Sequence, residues 1–342
     1  MTGRERVLAA LEHRKVDRVP RNLWALPGVF MFRNQEREAI VQRFPEDFTG
    51  PVIGLSGSRR WKGNPGEVGS YTDDWGCTFE VGQRGVVGEV KHPLLANDYE
   101  GLAEWDAPWE CMENLRPDLV AEGYEKTDLF VLAGTHIRPF ERMQFLRGTE
   151  NLYLDIASGE PLMMELLAKL DKFYTAELEF WQQTPVDGVS MMDDWGSQRS
   201  LLINPKAWRK IFKPYYQKYA QMIKSSGKKV FFHSDGYIAD ILPDLIEIGV
   251  DAVNSQLFCM DMEEVGRQCA GKICFWGEID RQHLLPFGTE EEVRQGVRRV
   301  YKALCPNGPT GVIAQCEMGL IDPPENVAAV FDEWNRISEE EA

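Results

Sequence analysis

The run Phe231-Phe232-His233-Ser234-Asp235-Gly236 ends an apolar strand in an imidazole and a carboxylate, and a glycine then releases the chain towards a helix expected to begin near Tyr237. Two later segments end alike. Lys272-Ile273-Cys274-Phe275-Trp276-Gly277 runs into Glu278 and Asp280, and Thr310-Gly311-Val312-Ile313-Ala314-Gln315 runs into Cys316 and Glu317. An imidazole, carboxylates and a thiol at strand ends can bind a metal ion or move a proton. In a barrel of parallel strands such ends meet at one mouth.

Other polar groups also follow strand-like runs. Asp193-Asp194-Trp195-Gly196 follows Gly188–Met192, and His136 and Arg138 follow Leu129–Ala133. Gln256 follows Ala252–Ser255. We take His136, Asp193, Asp194, Trp195 and Gln256 as candidate substrate-binding residues, and His233, Asp235 and Glu278 as candidate catalytic residues. Each has a plainer alternative. His233 could bond a neighbouring strand end, Asp235 could cap the next helix, and Glu278 could pair with Arg281. Cys316 could be a small buried apolar residue. Asp73-Asp74-Trp75-Gly76 repeats the letters of Asp193–Gly196, and Trp75 and Trp195 could wall an aromatic pocket or pack in the core.

The elements that must position these groups alternate. Strand-like runs at Leu129–Ala133, Gly188–Met192, Lys229–Phe232, Ala252–Ser255, Ile273–Trp276 and Gly311–Ala314 are separated by helical segments. Asn204-Pro205 supplies an N-cap and a first helical residue for a helix running towards Ile223. Ile238, Ile241, Leu242, Leu245 and Ile248 recur at helical spacing. Thr289 with Glu290–Glu292 opens another helix, and Pro323-Pro324-Glu325-Asn326 opens the last. Such alternation implies parallel strands joined by crossover helices. No Gly-rich dinucleotide loop follows any strand, which favours a closed α/β barrel over an open doubly wound sheet. The expectation is a single (β/α)8 TIM barrel, with residues 1–125 as an N-terminal elaboration and 126–338 as regular β/α repeats.

The chain has 342 residues, 43% of them hydrophobic, which suffices for one large core. A formal charge of −16 argues against a nucleic-acid partner. The sequence holds no apolar run long enough for a membrane span, and its charged start leads into no apolar signal core. Seven cysteines without a CxxC pair read as reduced thiols, so a cytoplasmic location is expected.

Several segments resemble the uroporphyrinogen decarboxylase superfamily: Val16-Asp17-Arg18-Val19-Pro20, the stretch from Leu242 to Asn254, Trp276-Gly277-Glu278-Ile279-Asp280-Arg281-Gln282, and Pro323-Pro324-Glu325-Asn326. The chain is identified as a member on these segments. Membership implies a (β/α)8 barrel with its site at the strand C-termini. It also implies one of two chemistries: cofactor-free decarboxylation of uroporphyrinogen, or methyl transfer involving a corrinoid carried on a partner protein.

The decarboxylases carry an Arg-Gln-Ala-Gly-Arg run shortly after the first proline. Here Pro20 is followed by Arg21-Asn22-Leu23-Trp24-Ala25-Leu26-Pro27-Gly28. The methyltransferases bind zinc through His-x-Cys and a later Cys. His233 matches the histidine, Cys316 matches the second cysteine, and Asp235 stands in place of the first. The resemblance therefore points to zinc held by His233, Glu278 and Cys316, with Asp235 in or beside the set. A site richer in oxygen keeps zinc a harder Lewis acid, suited to an ether or alcohol oxygen.

The resulting expectation is a methyltransferase moving a methyl group from a small O-methyl compound, such as a methoxylated aromatic, to the cob(I)alamin of a corrinoid protein. That corrinoid protein and a small methylated substrate are the expected partners, and a homodimer is compatible with the reading. The alternatives are a decarboxylase of a porphyrinogen or other small acid, and a catalytically idle ligand-binding barrel.

Overall fold

A computed structural model of the chain describes every residue from Met1 to Ala342 except Ser56. Eight strands run parallel: β1 (Arg21–Ala25), β2 (Phe48–Thr49), β3 (Phe130–Gly134), β4 (Gly188–Met192), β5 (Lys229–Ser234), β6 (Ala252–Ser255), β7 (Cys274–Trp276) and β8 (Val312–Met318). Their order round the sheet is β1-β8-β7-β6-β5-β4-β3-β2, a (β/α)8 barrel closed everywhere except between β1 and β2. At that seam the Asp47 amide donates to the Arg21 carbonyl at 3.0 Å. Side chains then do what a strand would do. Asp47 Oδ2 accepts from the Arg21 amide at 2.7 Å, and Glu46 Oε1 accepts from the Leu23 amide at 3.0 Å.

Successive side chains of a strand face opposite ways. The inward set includes Phe48, Phe130, Phe231, Ala252, Cys274, Trp276 and Ile313, which pack on Val7 and Leu11 of the helix Gly3–Leu11. The outward set, among it Val131, Val189, Phe232, Val253, Phe275 and Cys316, joins the larger core beneath the surrounding helices. A three-stranded antiparallel sheet (Gly69–Thr72, Thr78–Val81, Glu89–Val90) lies between β2 and β3 in the chain. Among the described residues no helix is long and apolar enough to cross a membrane.

Four strand expectations shift by a residue or more at an end, and Gly188–Met192 and Ala252–Ser255 recur unchanged. Three larger differences have physical reasons. The barrel takes its first two strands from within residues 1–125: β1 follows directly on Pro20, the helices Pro27–Phe32 and Asn34–Arg43 cross over from it, and β2 is only two residues long, too short to show periodicity. The helix expected from Asn204 to Ile223 is two helices, Pro205–Ile211 and Lys213–Ser225, because Pro214 has no amide hydrogen to continue the ladder. The helix expected from near Tyr237 starts at Leu242, where Pro243 occupies the first turn.

Candidate functional site at the barrel mouth

His233 is the inward-facing residue near the end of β5, and only 7% of it is exposed. Its Nδ1 lies 2.6 Å from Asn254 Oδ1. The direction of that bond is settled by Asn254. Its amide nitrogen donates to the Trp276 carbonyl at 2.5 Å and to Gln315 Oε1 at 3.1 Å, so its oxygen must face the histidine. His233 therefore carries a proton on Nδ1 and turns Nε2 into the mouth.

Two carboxylates face that nitrogen. Asp194 Oδ1 is 3.7 Å and Asp235 Oδ1 3.8 Å from Nε2. Both are too long for hydrogen bonds. Asp194 Oδ1 also accepts from the Asp235 amide at 2.9 Å, which ties the ends of β4 and β5 together. Asp235 Oδ2 is taken by Arg281 Nη2, and the other arm of Arg281 bridges to Glu317. Asp235 Oδ1 is left buried without a partner.

Behind the cluster Gly236, at φ 74°, presses against Gly196: a Cβ on Gly236 would stand 2.3 Å from the Gly196 carbonyl oxygen. Only glycine fits there.

Donor atoms of Asp194, His233 and Asp235 all lie within 4.8 Å of one another, the one such His/Cys/Asp/Glu group among the described residues. The set suits a divalent ion. One imidazole nitrogen and two carboxylate oxygens match zinc's ligand types, two negative charges balance the ion, and an orphaned buried oxygen points at the gap. Asn254 and Arg281 orient two of the three, as outer partners of metal ligands commonly do.

The remaining expected residues go elsewhere. Cys316 faces outward from β8 and is wholly buried in the core, and that burial pushes its thiol well above the usual range. The expected set of His233, Glu278 and Cys316 is therefore not brought together. Strand alternation separates Cys316 from Gln315 and Glu317, which face the mouth.

Glu278 is buried, makes no hydrogen bond among the described residues, and has Arg281 Nε 4.0 Å away. Burial raises its pKa well above the ordinary value against the pull of Arg281. With Gln256, Cys259 and Arg281 it lines a second cavity of about 310 Å³. Gln256 Oε1 accepts from the Gly236 amide at 2.9 Å.

Asp193 and Trp195 point away from the mouth, one position either side of Asp194. Asp193 accepts from the Phe140 and Glu141 amides, both at 2.8 Å, and from the Tyr216 hydroxyl at 2.5 Å. It thus binds the start of the helix Pro139–Arg147, and complete burial lifts its carboxyl to about 8. Trp195 stacks on Phe140 at 4.2 Å between ring centres and donates to Tyr216 Oη. Trp75 is likewise buried in the core. His136 bonds the wholly buried Glu177 through Nδ1 at 3.2 Å and lines neither cavity.

The main cavity, about 500 Å³, opens beside His233 and is walled by Trp24, Trp276, Phe48, Leu132 and Met192. Trp24 stands edge-to-face against Trp276 at 4.9 Å and 5.3 Å from the His233 ring. No arginine or lysine lines it among the described residues. Sequence reasoning missed Asn254, Asn22 and Glu46, and named Arg281 only as a partner for Glu278. Counting inward parity along each strand would have found Asn254, two residues before Gln256, and Asn22, two before Trp24.

Comparison with known proteins agrees with this architecture. A methyltransferase from Methanosarcina mazei superimposes with a TM-score of 0.70 at 16% identity, covering 98% of this chain and 99% of that one. An endo-beta-1,4-xylanase from Gloeophyllum trabeum gives 0.44 at 10% identity over 93% and 96%, and the 3-keto-D-glucoside 4-epimerase YcjR from E. coli gives 0.39 at 12% over 64% and 83%. No curated protein matches the sequence. The first of these likenesses shows the fold. The family model for uroporphyrinogen decarboxylase (URO-D) matches residues 73–337, well over half of the sequence, and the chain belongs to that family.

Proposed function

We propose that the protein is a corrinoid-linked methyltransferase that takes the methyl group of a small O-methyl compound, a methoxylated aromatic, and delivers it to cob(I)alamin on a partner corrinoid protein. The observation that carries this reading is the convergence of Asp194, His233 and Asp235 beside a cavity walled by Trp24 and Trp276. Cob(I)alamin attacks a methyl carbon readily, but an ether oxygen leaves only if its developing charge is stabilised. Zinc held by Asp194, His233 and Asp235 would supply that Lewis-acid stabilisation.

The chain's own residues do the rest. Trp24 and Trp276 offer faces and edges to a planar ring. Asn254 holds the His233 tautomer. Arg281 occupies one oxygen of Asp235 and leaves the other free.

The family's decarboxylase chemistry draws no support from the main cavity, because a polycarboxylate needs positioned guanidinium groups and no arginine lines it among the described residues. The test is spectroscopic. Mixed with a reduced corrinoid protein and a panel of methoxyarenes, the enzyme should convert the cob(I)alamin spectrum to that of methylcobalamin, and His233→Ala should abolish the change. Transfer by His233→Ala at the wild-type rate would place the chemistry elsewhere.

A further inference from the structure

The polar groups on the wall of the main cavity form a chain with one direction. Asn22 Oδ1 accepts from both indoles, from Trp24 Nε1 at 2.8 Å and from Trp276 Nε1 at 3.0 Å. With its oxygen so engaged, Asn22 turns its amide nitrogen outward and donates to Glu46 Oε1 at 3.2 Å. The same Oε1 accepts the Leu23 amide at the β1–β2 seam. Both indole donors are thus spent on Asn22, and the chain ends on a carboxylate whose second oxygen has no hydrogen-bond partner among the described residues.

Glu46 also differs from its neighbour in charge balance. Asp47 is paired with Arg6 and Arg18, whereas Glu46 makes no ion pair among the described residues although it lines the cavity. Beside the Thr49 and Ser190 hydroxyls, which can both donate and accept, the Glu46 carboxylate offers this cavity lone pairs alone. A ligand that meets them must bring a donor, and an anionic ligand meets an uncompensated negative charge.

We propose that Glu46 is the specificity-determining residue of this cavity and selects neutral, hydrogen-bond-donating methoxyarenes, methoxyphenols in kind, over methoxyarenes without a donor and over methoxybenzoates. This rests on the methyl-transfer reading for the choice of a methoxyarene and on the Asn22–Glu46 chain for the donor. Asn22 fixes the aromatic walls and Glu46 together, so ring and hydroxyl are read by one connected unit.

The test is equilibrium binding by titration calorimetry, with no corrinoid present. Wild type should bind 2-methoxyphenol about tenfold more tightly than 1,2-dimethoxybenzene, the scale of one hydrogen bond to a charged group in a partly wet cavity. It should bind 2-methoxybenzoate weakest of the three. Glu46→Gln keeps an acceptor for the Leu23 amide, so its melting temperature should stay near wild type. It should bring 2-methoxyphenol and 1,2-dimethoxybenzene to within about twofold and improve 2-methoxybenzoate, since the opposing charge is gone.

A wild-type preference for the benzoate, an unchanged ranking in Glu46→Gln, or no binding of any probe overturns the proposal. Donor selection that Glu46→Gln erases, in a protein that methylates no corrinoid, upholds the role of Glu46 and removes the methyl-transfer reading.

Discussion

Asn254 sets the state of His233: its amide nitrogen is committed to the Trp276 carbonyl, so its oxygen, 2.6 Å from His233 Nδ1, can only accept. The histidine's remaining nitrogen is thereby presented to Asp194 and Asp235 in the form that binds a metal. Asn254→Leu leaves the Nδ1 proton unpaired in a buried place and frees the ring to turn. We expect zinc affinity to fall about 10- to 100-fold, as for other outer partners of metal-bound histidines. Competition with a chromophoric chelator measures it, and an unchanged affinity in a folded variant would remove Asn254 from the account.

A pH dependence follows from Asp193. Burial holds its carboxyl at about 8, against about 3.9 in an unfolded chain. A carboxyl raised on folding gives stability that is fully present below the unfolded value and lost as pH climbs through the folded one. Asp193 should therefore weaken the fold progressively between about pH 4 and pH 8. Asp193→Asn removes that titration. The urea midpoint of wild type minus that of Asp193→Asn should fall from pH 5 to pH 8, and a difference independent of pH would contradict the raised carboxyl.

The alternation of strands and helices, the helix caps at Asn204 and Thr289 and the placement of His233 near a strand end were all legible in the sequence. What misled was the side to which each residue points. Asp193, Asp194 and Trp195 are consecutive, yet only the middle one reaches the mouth, because strand side chains alternate. The same rule turns Cys316 into the core while Gln315 and Glu317 face inward. Composition and resemblance both single out Cys316, and only the parity of β8 argues against it. β2 escaped notice for another reason: two residues carry too little periodicity to show.

The protein should not decarboxylate uroporphyrinogen. The run Arg21–Gly28 after Pro20 lacks the family's paired arginines, and no arginine or lysine lines the main cavity among the described residues. A substrate with several carboxylates would also meet Glu46. Incubation under anaerobic conditions followed by chromatography of the products should show no coproporphyrinogen. Its steady appearance would overturn both the methyl-transfer reading and the assignment of the cavity.

The most direct measurement is metal stoichiometry across four variants. Elemental analysis of protein purified without chelator and supplied with zinc should find about one zinc per chain in wild type. Asp194→Asn, Asp235→Asn and His233→Ala should each lower occupancy strongly. Cys316→Ser should keep it, because Cys316 is buried on the far face of β8. Zinc lost in Cys316→Ser but retained in Asp194→Asn, or no zinc bound by wild type at all, would contradict the site described here.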